Sequence, residues 1–316
     1  MITNNPSQTP KRSAAQADRI FLATLWSAVG IFTATMLGLI LQLVHGSWTS
    51  ILKFGFTFLT TSTWNPVISQ FGALPMIYGT IVSSAIAILF ASIIGIASAT
   101  FLAEFAPRRI AQPLSSLIEL LAAVPSVVYG LWGLFVLVPI FRAYIDPFLQ
   151  AHFGFLPLFS GPVYGVGLLT AGVILAVMIL PTVSAISRDV IIAVGREQRE
   201  AGMALGSTKW ETTWRIVLPA ARAGIFGACV LALGRAIGET IATTMVIGNK
   251  ATIAASLFAP SYTLSSVIAN EFTEATSDVY VSALIELGLL LFLLSCIVNG
   301  FARLLVNSVF SKSEGR

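Results

Sequence analysis

EAGMALGSTKWETTWRIVLP, residues Glu200–Pro219, is a polar stretch between two long apolar runs. Glu200, Ala201 and Ala204 suit a short helix with a small-residue face. Gly206 is placed to end that helix in the left-handed conformation that only glycine adopts cheaply. Thr208, with Glu211 three residues later, fits a capping box and starts a second short helix. Pro219 then falls where the next apolar run begins, a position tolerated in a first helical turn. The segment predicts a helix–turn–helix lying on a membrane face.

A helix that crosses a bilayer needs about 20 mostly apolar residues. Six segments meet this: Ile20–Val44, Leu74–Ala103, Leu117–Phe141, Tyr164–Ile186, Ala220–Ile247 and Val279–Val306. Pro125 lies early in the third and is placed to break or kink it. Of the 316 residues, 56% are hydrophobic and 10% charged, and the mean hydropathy is +0.88. Soluble domains carry about a quarter charged residues, so the solvent for this chain is lipid. The reading is an all-α integral membrane protein. A tail covers residues 1–19 and is expected to be flexible, a first span covers 20–44, and an outside loop covers 45–73. A core of five helices covers 74–306, with the cytoplasmic loop at 187–219, and a second tail covers 307–316. The polar tail and the length of the first apolar run argue against a cleaved signal peptide.

Fourteen of the 18 Lys and Arg residues fall on one side of these spans, the side of Glu200–Pro219. Lys53, Arg142 and Lys250 fall on the other, and Arg235 lies within a span. The positive-inside rule puts both termini and the polar loop in the cytoplasm. The pI of about 9.3 is thereby a topology signal and does not call for a nucleic-acid partner. Cys229 and Cys296 sit in apolar runs, and His45 and His152 are far apart, so neither a disulfide framework nor a metal site is implied. No catalytic residues and no phosphate-cradling Walker A pattern stand out, so the chain is not expected to be an enzyme or to hold a cofactor. Secondary transporters more often show two matching halves, and no such repeat stands out.

Arg235 and Glu239 are four apart within the fifth apolar run, a spacing that puts them on one helix face where they can pair. A charge at mid-bilayer costs about 2.5–3.5 kcal/mol on insertion scales, which favours a functional role. Gly234 and Gly238 form a small-xxx-small pair that permits close helix approach. Two roles fit the charges: a cationic fork and its moderator along a pathway for an oxyanion, or a lock between helices or subunits. Glu119 and Glu286 read as buried or interfacial acids, Glu104 with Arg108 and Arg109 as a solvated helix end, and Tyr129 and Trp132 as packing aromatics. Leu264, Val267, Ile268 and Phe272 have helical spacing, which fits a helix touching an outside partner or one packed across the mouth of the bundle.

The polar loop resembles the signature of ABC-importer permeases: Glu-Ala-Ala, three residues, Gly, nine residues, Ile, one residue, Leu-Pro. Here it reads Glu200, Ala201, Gly202, then Gly206, Ile216, Leu218 and Pro219, with Gly202 where alanine is usual. A finer resemblance, to the C-type permeases of phosphate-specific (Pst) importers, rests on STWNP (62–66), PSVVYGLWG (125–133), GRAIGET (234–240) and SLFAPSYTLSSVIANEF (256–272). It implies a type I, MetI-like importer fold and transport of inorganic phosphate. It also implies a second, A-type permease, an external phosphate-binding protein, and a homodimeric ATPase that holds ATP and magnesium and docks on the Glu200–Pro219 loop. Sulfate, molybdate or a phosphonate is the alternative cargo.

Overall fold

The computed structural model describes the backbone of residues 11–310 and the side chains of residues 18–304. Six of its helices are long and apolar enough to cross a membrane: Asp18–Phe54, Leu74–Phe105, Ser126–Phe153, Leu168–Ala193, Lys209–Ile237 and Asp278–Leu304, hereafter the first to sixth spans. The first helix begins at Lys11, so residues 11–19, expected to be a flexible tail, are helical. The rest of that tail, and residues 311–316 of the second, lie outside the described residues.

Four spans differ from expectation. The first runs on to Phe54, so residues 45–54, expected in the outside loop, are helical, and the fourth is shifted to Leu168–Ala193, which takes residues 187–193 out of the expected polar loop. Leu117 was expected inside the third span but belongs to a separate helix, Arg108–Ala122. The third span starts only at Ser126, behind the extended residue Pro125. Proline disfavours helical conformation in the residue before it, which separates the two helices. The fifth span was expected over Ala220–Ile247. It runs instead from Lys209 through a π turn at Thr213–Val217 into Leu218–Ile237, and a short helix, Ile241–Val246, follows a break. The second arm of the polar helix–turn–helix is therefore the beginning of a span.

The fourth span is the hub. Two-thirds of its most apolar window is buried, against about a quarter for the second, third, fifth and sixth spans and none for the first. Glycine permits this density. A methyl group added at Gly172 would lie 2.5 Å from Ile86 Cγ2, so the second and fourth spans meet at van der Waals contact only because Gly172 has no side chain. Below this core, Ala99, Ile191, Val217, Ala221 and Ile225 pack three spans together beneath the polar loop. At the opposite end, Phe58, Phe71, Met76, Leu264, Val267 and Tyr280 pack the segment between the first two spans, helix Leu264–Glu271 and the sixth span into one cluster.

The first span packs along the sixth. Gly46 meets Ile285, and Ser50 N–H donates to Ser282 Oγ at 3.0 Å. Ser47, Ser50 and Ser282 are buried at this seam, as is Glu286, whose carboxyl lies beside the Ser50 hydroxyl.

Candidate functional site

The polar loop forms as the sequence predicts at its turn. Helix Arg196–Ala204 ends with Gly206 at φ +88°. Gly206 N–H donates to Met203 O at 3.0 Å and Ser207 N–H to Gly202 O at 3.3 Å, which together make a Schellman cap. Thr208 then caps Lys209–Thr212 in a full capping box with Glu211. Pro219 sits in the first turn of Leu218–Ile237.

The structure also explains the spacing. A Cβ at Gly202 would lie 2.5 Å from Ile216 Cδ1 and 3.3 Å from the Thr212 side chain. Gly202 and Ile216 are thus the two halves of one contact that clamps the arms of the turn. The Ser207 hydroxyl closes it, donating to Gly202 O at 2.6 Å and lying 2.7 Å from Thr212 Oγ1. In this packing the missing methyl of Gly202, which stands where alanine is usual, is what lets Ile216 seat. Ala201 is exposed, and Glu200 pairs with Arg196 at 2.8 Å in a solvated pair. Leu218 is half-buried. Around the turn, Met203, Leu205, Trp210 and Trp214 are exposed, Leu205 at 90%. An apolar surface of this kind marks an interaction site. Sequence reading missed these four residues because it weighed the signature positions and not their neighbours.

It also missed the loop's anchor. Arg199 donates from Nε and Nη2 to Glu104 Oε1 at 3.1 and 2.8 Å, from Nη2 to Ile191 O at 2.7 Å, and from Nη1 to Val194 O. Glu104, expected to be a solvated helix end, is 8% exposed and takes no part with Arg108 or Arg109 in this pair. The guanidinium satisfies the last carbonyls of the fourth span and the acid at the end of the second, so one side chain ties the polar loop to both.

Within the membrane the expected Arg235–Glu239 pair does not form. The helix ends at Ile237 with Gly238 as its cap, which removes the one-face geometry of a four-residue spacing. Arg235 is exposed, and its Nη1 lies 3.4 Å from Thr182 Oγ1 on the fourth span. Glu239 Oε1 accepts from Ala242 N–H at 3.2 Å at the start of the short helix Ile241–Val246, where a carboxylate suits the positive helix end. Ser265 Oγ holds the Glu239 carbonyl at 2.6 Å. Gly234 approaches Asn299 of the sixth span, whereas Gly238 meets only its own preceding turn, so the expected glycine pair acts as one packing position and one helix stop. Tyr129 is buried and donates to Leu121 O at 2.8 Å, a packing role as expected.

At the opposite face, Glu271 Oε2 accepts from Trp64 Nε1 at 2.7 Å and from Tyr280 Oη at 2.5 Å. This joins two of the segments that the sequence singles out, STWNP and SLFAPSYTLSSVIANEF. Leu264 and Val267 are fully buried, so helix Leu264–Glu271 packs across the bundle mouth, and only Phe272 of that series is exposed. Burial pushes the nearby Tyr262 phenol up, with Glu271 and Glu274 adding to the effect against a hydrogen bond from Asn270.

Spans around a central fourth helix, with a glycine-capped helical turn leading directly into the fifth, define an importer permease. Residues 91–311 match the family described as binding-protein-dependent transport system inner membrane component. The chain is 46% identical over 306 residues to the phosphate transport system permease protein PstC of Mesorhizobium japonicum, covering 96% of this chain and 94% of that one. It is 47% identical over 291 residues to PstC of Pasteurella multocida, covering 90% of each. The chain therefore belongs to this permease family, on its PstC branch, and is a multi-pass inner-membrane protein. Among solved structures, a bacterial ABC transporter involved in import of the polysaccharide alginate shares the fold at TM-score 0.61 and 15% identity, covering 94% of this chain and 98% of that one. The MetNI methionine ABC transporter shares it at TM-score 0.54 and 16% identity, covering 78% and 99%.

Proposed function

We propose that the chain is the C-type permease of an importer for inorganic phosphate, with both termini in the cytoplasm and the Glu200–Pro219 loop as the joint on which a partner ATPase acts. One observation carries this reading: the exposed apolar surface of Met203, Leu205, Trp210 and Trp214 surrounds a rigidly capped turn whose second arm continues into the fifth span. A partner seated there moves that span directly, and through Arg199 it moves the ends of the second and fourth. ATP and magnesium belong to the partner in this reading.

Phosphate as cargo follows from the PstC relatives. An external binding protein delivers it to the outside loops, an A-type permease completes the pathway, and closure of the ATPase dimer draws the polar loops together and opens the pathway outward. Arg235 is the pathway cation, because a guanidinium offers two donors to two oxyanion oxygens. Its exposure and weak contact to Thr182 leave that fork available. Glu239 moderates the attraction so that the anion is released.

Radiolabelled phosphate uptake with Gly206→Arg tests the reading, since a large side chain at the turn blocks docking. The expected result is loss of uptake, with no ATPase co-purifying with the permease. Normal uptake in a normally assembled complex overturns it. Sulfate, molybdate or a phosphonate added at the concentration of phosphate in the same assay checks the cargo: any of these that displaces phosphate reassigns it.

A further inference from the structure

On the face that carries most of the Lys and Arg residues lies a cavity of about 560 Å³. It is bounded by the end of the second span (Leu102, Ala103), the start of helix Arg108–Ala122 (Arg108, Gln112) and the end of the fourth span (Arg188, Ile192). Three features make it a place for an anion. The Arg188 side chain is 21% exposed; among the described residues its Nε has no hydrogen-bond partner, and the only ion pair of this guanidinium is a long one, 3.6 Å, to the solvated carboxylate of Asp189. A buried guanidinium N–H without an acceptor is rare in folded proteins. Helix Arg108–Ala122 has neither a side-chain cap nor an acid in its first turn, so its positive end faces the same space uncompensated. Glu104, the acid closest in sequence to Arg108, is engaged by Arg199. Glu119 lines with Arg188 a smaller adjoining crevice that also takes in Ser115 and Ser184.

We infer that this cavity binds a phosphate group, gripped by Arg188 and Arg108 with Gln112 as a neutral donor. Guanidinium forks match phosphate oxygens two at a time. The apolar part of the lining suits the glycerol and first methylenes of an anionic phospholipid, and basic pockets beside membrane helices take such headgroups. Free inorganic phosphate leaving on this side offers the same chemistry. The lipid form of the inference needs only that the chain is embedded in a bilayer; the free-phosphate form rests on the transport reading above.

The test is hydrogen–deuterium exchange on the assembled transporter in nanodiscs. One arm compares discs of phosphatidylcholine alone with discs containing one-quarter phosphatidylglycerol. The other adds millimolar inorganic phosphate to the phosphatidylcholine discs. At least one addition is expected to slow exchange fivefold or more at residues 102–112 and 186–192. Protection by phosphatidylglycerol alone assigns the lipid source, and protection by phosphate alone assigns the released ion. Protection by neither overturns the inference. Arg188→Gln with Arg108→Gln is expected to abolish the protection, and Arg188→Lys to keep part of it. Protection that survives the double substitution also overturns the inference. The wild-type arms decide the matter even where the double variant assembles poorly, and uptake measured on the same discs reports separately on the transport reading.

Discussion

Arg199 places two donors on one carboxylate oxygen of Glu104, 95 residues away in sequence, at 2.8 and 3.1 Å. The contact joins the polar loop to the end of the second span. The same guanidinium also holds Ile191 O and Val194 O at the end of the fourth. Force applied to the loop therefore has a short route into three helices.

Removing one partner of a mostly buried pair leaves a desolvated charge and costs about 3–5 kcal/mol. Arg199→Gln is expected to lower the thermal midpoint of the purified complex by several degrees and to cut uptake. Glu104→Gln combined with Arg199→Gln removes both charges and is expected to recover at least half of the stability. Equal losses in the single and double variants, measured by a thermal double-mutant cycle, would count against the clamp.

Gly202→Ala brings a methyl to 2.5 Å from Ile216 Cδ1. Overpacking of this kind costs about 1–3 kcal/mol, against about 1 kcal/mol gained in helix propensity. Ile216→Val removes the atom in question. The pair Gly202→Ala/Ile216→Val is expected to transport better than Gly202→Ala alone. An uptake assay in which Ile216→Val gives no rescue shows that the contact does not set the turn.

At φ +88° a side chain at Gly206 is strained even though no atom lies within 4 Å of the added Cβ. Gly206→Ala is expected to cost about 1–2 kcal/mol through backbone conformation alone. ATPase activity of the assembled complex should fall while the detergent-solubilised permease keeps its helical content. Unchanged activity would mean that the turn tolerates a right-handed cap.

Arg235→Gln is expected to leave assembly intact and to lower phosphate uptake about tenfold, roughly 1.4 kcal/mol. Loss of assembly would make Arg235 a structural lock instead. Because Arg235 and Glu239 do not touch, Arg235→Gln and Glu239→Gln are expected to combine with a coupling below about 0.5 kcal/mol. A large coupling in uptake would show that the two meet in a conformation other than this one.

The spans and the turn at Gly206 were legible because each leaves a local trace: about 20 apolar residues, or a glycine followed by Thr208 and Glu211 at fixed spacing. Where the reading failed, tertiary contacts decided. Nothing near Arg235 in the sequence says that Gly238 stops the helix, since glycines are common inside membrane helices. Glu104 has two arginines four and five residues on, yet binds the one 95 residues away. The resemblance segments were read one at a time, and only folding brings Trp64 to Glu271.

The seam between the first and sixth spans has a consequence for how the core meets lipid. Residues 91–311, the part matched to the family, include Glu286 but not the helix that covers it. Stripped of Gly46, Ser47 and Ser50, that acid would face hydrocarbon. The first helix is then a sheath: it adds little to the core, yet it insulates an acid that the remaining five spans could not leave bare in a bilayer.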